Sequence, residues 1–160
     1  MSATNILEAC ILKLFFLNEG TGVVAGGQTP AVSIGDTAGL LQSSVDGNFW
    51  LGLFDGDPTD TGAGGIETAY TGYARQAVAR STGWTVSGTS PCQAINVTAV
   101  TFPVYGGGTV YDATHVGLFN ALTVGQLLLV APFTPAGAQL TIGTGVQPVL
   151  AAGTVSFTLD

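Results

Sequence analysis

Three carboxylates fall within six residues, at Asp55, Asp57 and Asp60. Clustered oxygen donors of this kind can ligate a hard cation such as Ca²⁺, which makes them the weak calcium candidate of the chain. The spacing is not that of an EF-hand loop. Counted from Asp55, the position that must be Gly is Asp60, and the position that must supply a bidentate Glu is Ile66. Asp55-Gly56-Asp57-Pro58 is also a strong turn signal, so the expected role of these residues is to turn a hairpin. A glycosidase pair would need a second, distant acid in an aromatic-lined cleft, and no such partner stands out.

Other chemistry is scarce. His115 is the single histidine and lies inside an expected strand, Thr114–Phe119. A Ser–His or Cys–His pair needs that imidazole oriented by a third group, and no nucleophile elbow surrounds it. Zinc would have only His115, Cys10 and Cys92 to draw on, without ligand spacing. The two cysteines read as buried free thiols. Gly62-Ala63-Gly64-Gly65 and Gly106-Gly107-Gly108 lack the lysine and spacing of a phosphate-binding loop. The expectation is a protein that is not an enzyme, with no catalytic residue and no cofactor.

Charge narrows the partners. The formal net charge is −7, from ten acidic residues and three basic ones, Lys13, Arg75 and Arg80. Nucleic-acid binding needs a cationic surface that releases counterions from phosphates, and anionic membranes select for cations in the same way. Neither is an expected partner. Charged residues make up only 8% of the chain, against roughly 25% in an average soluble domain. A surface so poor in solvated groups is best covered by other subunits. In such a chain each arginine is expected to pair with a specific carboxylate, within or between subunits; Asp57, Asp60 and Glu67 are nearest in sequence to Arg75 and Arg80.

The elements that must position these residues are mostly strands. Residues 4–18 read as a helix, with Asn5 and Glu8 in capping-box spacing and Gly20 and Gly22 as the stop. It is apolar nearly all round, so more than one side must be covered. Ile6, Leu7, Ile11, Leu14 and Phe15, together with Arg75 and Arg80, are the interface candidates. Residues 19–47 read as a long loop or insertion with a short strand near Ala31–Ile34. From residue 48 on, strands are expected at Phe49–Phe54, Tyr73–Ala79, Trp84–Val86, Ile95–Phe102, Thr114–Phe119, Gln126–Phe133, Gln139–Ile142 and Thr154–Leu159. Short strands at this spacing imply an antiparallel β-sandwich or barrel-like domain with one N-terminal α-helix, here a single domain over 1–160 with the sandwich in 48–160. Leu51-Gly52-Leu53-Phe54-Asp55 echoes Val116-Gly117-Leu118-Phe119-Asn120. A glycine within an apolar strand marks a bulge or the close approach of another backbone, and the two segments are expected to be paired central strands packing face to face. No segment reaches the roughly 18–20 apolar residues of a membrane span, and the first residues lack the basic region of a secretory signal.

The order of motifs is similar to that of a family of small virion proteins of tailed bacteriophages, variously labelled head-decoration, minor tail or tail fibre proteins. The residues concerned are Asn5-Ile6-Leu7-Glu8-Ala9-Cys10-Ile11-Leu12, Asp57-Pro58-Thr59-Asp60, Gly72-Tyr73-Ala74-Arg75-Gln76-Ala77-Val78, Phe102-Pro103, His115-Val116-Gly117-Leu118-Phe119 and Gly153-Thr154-Val155-Ser156-Phe157. Residues 19–47 depart from the pattern. The resemblance implies a β-rich structural protein placed on the virion and assembled in the host cytoplasm. The expected role is a head-decoration, or capsid cement, protein that associates with itself as a homo-oligomer such as a trimer, and with the major capsid protein. The alternative is a minor tail, fibre or adaptor protein bound to tail proteins. A third reading, a carbohydrate-binding module, would need Trp50, Trp84, Tyr70, Tyr73, Tyr105 and Tyr111 to face solvent.

Overall fold

The apolar runs around the two echoing glycines form the centre of a sheet. In the computed structural model, which describes residues 5–18, 46–59, 61–87, 92–133 and 137–159, β1 (Asn48–Asp55) pairs antiparallel with β7 (Tyr111–Phe119). The register sets Gly52 opposite Gly117, Leu51 opposite Leu118 and Leu53 opposite Val116. Cross-strand partners share a face. One face therefore carries Leu51, Leu53, Val116 and Leu118, all fully buried. The other carries the two glycines with Phe54 and Phe119, whose rings stack at 6.0 Å. Burial on both faces is why these strands read as near-continuous apolar runs.

The remaining strands follow in chain order: β2 (Ile66–Glu67), β3 (Gln76–Ala79), β4 (Trp84–Ser87), β5 (Cys92–Asn96), β6 (Val100–Thr101), β8 (Leu127–Pro132), β9 (Leu140–Ile142), β10 (Val149–Leu150) and β11 (Ser156–Leu159). The six-stranded sheet runs β2-β1-β7-β8, with β3 also pairing β1 and β9 also pairing β7. β11-β5-β4 make a three-stranded sheet and β10-β6 a two-stranded one. The fold is mainly β and antiparallel with one short N-terminal helix, as the sequence implies, and no closed barrel forms among the described residues.

The contacts divide into two compact units. One contains residues 1–47, 79–97 and 156–160; the other contains 48–78 and 98–155. The expected single strand Ile95–Phe102 is divided at that boundary. It splits into β5 and β6 because Val97 and Thr98 bend out to solvent, and Val97 N–H bonds back to Gly83 O at 2.9 Å. The expected strand Tyr73–Ala79 shortens to β3 because Tyr73 turns back, its N–H donating to Tyr70 O at 2.9 Å. The expected strand near Ala31–Ile34, and residues 19–45 generally, lie outside the described residues.

In the first unit, α1 (Asn5–Leu12) continues as a π-helical turn, Lys13–Leu17. It ends at Asn18, ahead of the expected glycine stop. Asn18 takes the left-handed conformation (φ 54°), which Asn tolerates better than most residues, and its N–H closes onto Lys13 O. The turn buries Phe16 against Trp84 and Phe157, with ring centroids 4.8 and 5.8 Å away. Leading into and along β11 the alternation read from sequence holds: Val155 and Phe157 are buried and Thr158 is exposed. Cys10 and Cys92 are buried and form no disulfide among the described residues. Burial, then the Glu8 carboxylate, push the Cys92 thiol up, so it stays protonated and unreactive. No helix among the described residues is long and apolar enough to cross a membrane.

Candidate interaction site

The glycine face of β1 and β7 supports the most tightly connected polar cluster in the second unit. Arg75 forks onto Glu67, Nε donating to Oε1 and Nη2 to Oε2, both at 2.7 Å. This bidentate geometry is the strong form of a carboxylate–guanidinium pair. The guanidinium carbon lies 3.4 Å from the centroid of the Phe119 ring, a cation–π contact. Nη1 donates to Ala121 O at 3.1 Å, which ties the pair to the β7–β8 hairpin. Tyr73 completes the set: its hydroxyl donates to Glu67 Oε1 at 3.0 Å and accepts the Leu53 N–H at 3.1 Å. Burial, then the neighbouring Glu67 charge, raise the Tyr73 phenol far above its usual value, so it remains a neutral donor.

The glycines are what make room for this cluster. A Cβ on Gly52 would lie 2.8 Å from Glu67 Oε1 and 2.9 Å from Phe119 Cε2, and one on Gly117 would lie 2.6 Å from Phe54 Cε2. All three distances are inside van der Waals contact, so any larger residue must displace the ion pair or the stacked rings. The groups that approach these glycines are therefore side chains, where the sequence echo led to the expectation of another backbone, and β1 and β7 pair edge to edge in one sheet instead of packing face to face.

Beside this sheet an open groove of about 850 Å³ runs along β8. Leu127, Leu128, Leu129 and Val130 form one wall; Thr59, Thr61 and Gly62 form the other. β8 pairs only with β7, so among the described residues its outer side is an unpaired strand edge. The threonine wall is shaped by the acidic turn. Asp57 Oδ1 accepts the Thr59 N–H at 2.8 Å, Gly62 N–H bonds to Thr59 O at 3.0 Å, and Thr59 itself sits at φ 60°.

The expected site residues fall in several places. Asp55 accepts the Asp112 N–H at 3.4 Å, and Asp57 makes its turn; both act as backbone acceptors here. Asp60 lies outside the described residues. Among the described residues no three His, Cys, Asp or Glu side chains converge as metal ligands do. Arg75 meets Glu67, one of the expected carboxylates, in a pair whose side chains are 12% and 25% exposed. Arg80 does something else. Its guanidinium donates to Phe15 O at 2.6 Å and to Leu14 O, carbonyls near the end of the helical segment. Ile11 is exposed, Leu14 and Phe15 are half-buried, and the side chains of Ile6 and Leu7 lie outside the described residues. His115 shares a hydrogen bond between Nδ1 and Thr114 Oγ1 at 2.9 Å. Of the aromatic residues, Trp84 and Tyr70 are buried, whereas Trp50, Tyr73, Tyr105 and Tyr111 are half-buried.

The sequence does not disclose the partnership of Tyr73 and Phe119 with Arg75, because the three meet only through pairing across β1 and β7. Nor does it disclose the β8 groove. An apolar run of this length bounded by turns is equally consistent with a buried strand.

With this geometry in place, comparison with known proteins adds one finding. The family model described as podophage GP4 fiber I protein gp80 matches residues 42–158. The match takes in every strand from β1 to β10 and most of β11, and it begins after the helix. No curated protein matches the chain.

Proposed function

We propose that this chain, which belongs to the podophage GP4 fiber I protein gp80 family, builds part of a fibre on the phage particle. Family membership makes it a structural protein of a tailed-phage virion. The finer placement, fibre rather than capsid shell, is our reading. The observation that supports it most is the family match itself, which spans both the glycine-face cluster and the β8 groove.

The geometry favours scaffolding over turnover. The polar groups that could do chemistry are taken up in holding the backbone: Asp57 in its turn, Arg75 and Tyr73 around Glu67, Arg80 at the helix end. A charge-poor surface suits a protein that works among other subunits, so we propose neighbouring fibre or tail subunits as partners, with neither nucleic acid nor membrane among them.

Quantitative mass spectrometry of purified particles tests the placement, with the major shell protein as the internal reference. A fibre component is present in a small fixed number of copies and labels the tail or its attachment point in immuno-electron microscopy. A ratio near one per shell subunit, with label spread over the head, would overturn the fibre reading in favour of head decoration.

A further inference from the structure

The β7–β8 hairpin ends in a loop with two unusual features. Val124 is fully exposed, at 101%, and sits at φ 57°; Leu122 beside it is 42% exposed. A β-branched residue in the left-handed region is a true outlier, and strain of this kind persists only where the surroundings enforce it. They do so here. Asn120 Oδ1 accepts the Gln126 N–H at 2.7 Å, and Asn120 N–H bonds back to Gln126 O at 3.3 Å. Arg75 holds Ala121 O. A Cβ on Gly125 would lie 2.7 Å from Ala121 N, so the closure needs glycine there. The tip is thus fixed in shape, and it holds two aliphatic side chains out into water.

At the other end of β7 lies a hollow of about 240 Å³, lined by Phe133, Leu140, Val149, Leu150 and their neighbours. Phe133 bonds to Thr114 and Leu140 pairs with Ala113, near the start of β7, whereas the tip follows Phe119 at its end. At about 3.4 Å per residue, the stretch of β7 from Ala113 and Thr114 to Phe119 separates the two features by about 17–20 Å. The hollow equals about eight liquid-water volumes, at about 30 Å³ each. The side chains of Leu122 and Val124 together supply seven carbon atoms. Neither the loop 120–126 nor the lining of the hollow contains an ionisable residue. Contact between them therefore brings no like charges together, despite the net charge of −7.

We propose that copies of this chain associate head to tail, with Leu122 and Val124 of one seated in the Phe133–Leu140–Val149 hollow of the next. Protrusion and hollow lie at opposite ends of one strand, so they cannot meet within a single copy. A head-to-tail contact is heterologous: it closes as a ring or continues as a filament according to the rotation between copies. The proposal stands on this geometry alone. Its test uses purified protein, so failure would leave the fibre reading untouched.

The experiment is light scattering coupled to size exclusion over a range of concentrations. It uses the wild-type chain, the double variant Leu122→Asp with Val124→Asp, and Val149→Glu. Wild type is expected to exceed the monomer mass as concentration rises. Each variant alone is expected to stay monomeric with an unchanged circular dichroism spectrum. Mixing the two variants is the decisive arm. Each retains the surface the other lacks, so the mixture forms a two-chain species and nothing larger. Val124→Gly separates docking from folding: glycine relieves the strain and raises the melting temperature, yet loss of the buried valine weakens association by about tenfold or more. A monomeric wild type, assembly that survives the tip variants, or a mixture that stays monomeric would each overturn the proposal.

Discussion

Arg75 and Arg80 are close in sequence but act in different units, each within its own and in a different way. Arg75 neutralises a carboxylate: both of its forked bonds go to Glu67, with Phe119 beneath the guanidinium and glycine beneath the carboxylate. Arg80 donates to backbone carbonyls, and its charge also acts on the nearby Asp46 carboxylate. The carbonyls it holds are those of Leu14 and Phe15, near the end of the helical segment, where the helix dipole places partial negative charge. The contrast shows what a scarce cation is worth in each setting. A part-buried ion pair is costly to break, because the surviving charge is left without its partner. A carbonyl cap is cheaper to lose, because water can replace part of it.

The largest expected effect is therefore at the ion pair. Arg75→Ala removes the fork, the ring contact and the Ala121 bond together, and leaves Glu67 part-buried without its cation. We expect it to destabilise the protein by about 3 kcal/mol, read as a lower midpoint in urea denaturation. Glu67→Ala should cost about as much, and the double variant less than the sum, because the two residues share one interaction. Simple additivity would show that the pair does not act as a unit.

Gly52→Ala tests the support for that pair without touching a charge. The new methyl must push against Glu67 Oε1 and the Phe119 ring. Overpacking of this kind costs about 1–3 kcal/mol. Urea denaturation of Gly52→Ala in the Glu67→Ala background gives the sharper reading. With the carboxylate gone, one of the two clashes is relieved and the penalty should shrink; an unchanged penalty would trace it to the Phe119 ring instead.

Arg80→Ala should cost about 1–2 kcal/mol, the range of a helix-end interaction in a partly buried setting. Its effect should also be local. Amide exchange should speed up near the end of the π-helical turn while β1 and β7 keep their protection. Equal loss of protection in both places would erase the distinction between the two arginines.

How much of this the sequence discloses depends on the range of each interaction. The β1 and β7 runs, the glycine echo and the Asp57 turn are legible, because each is written in consecutive residues. The pairing of Arg75 with Glu67 is legible as a short list of nearby carboxylates. The role of Arg80 is not, because its partners are backbone carbonyls more than sixty positions away, and every residue has a carbonyl. The break between β5 and β6 is hidden for a related reason: Val97 and Thr98 suit a strand well, and only the bond to Gly83 shows that they leave it. The exposed tip is hidden as well, since Leu122 and Val124 look like strand residues until the hairpin closes around them.

The smallest effect expected is a titration at the same helix end. Asp46 accepts from Asn18 Nδ2 at 2.8 Å and from Ser81 Oγ at 2.9 Å, so it joins the end of the helical segment to the residue after Arg80. The bonds from Asn18 and Ser81 outweigh the slight opposing effect of burial, and with nearby Arg80 they hold its carboxyl below the ordinary value of 3.8. A lowered folded-state pKa means that the unfolded chain binds the proton first. The stabilisation is therefore complete above 3.8 and is lost as pH falls through the lower folded value. Asp46→Asn removes the charge at every pH. Thermal melts of the two proteins should differ at neutral pH and converge in acid. A difference that persists well below the carboxylate range would show that the geometry of Asp46, and not its charge, ties down the helix end.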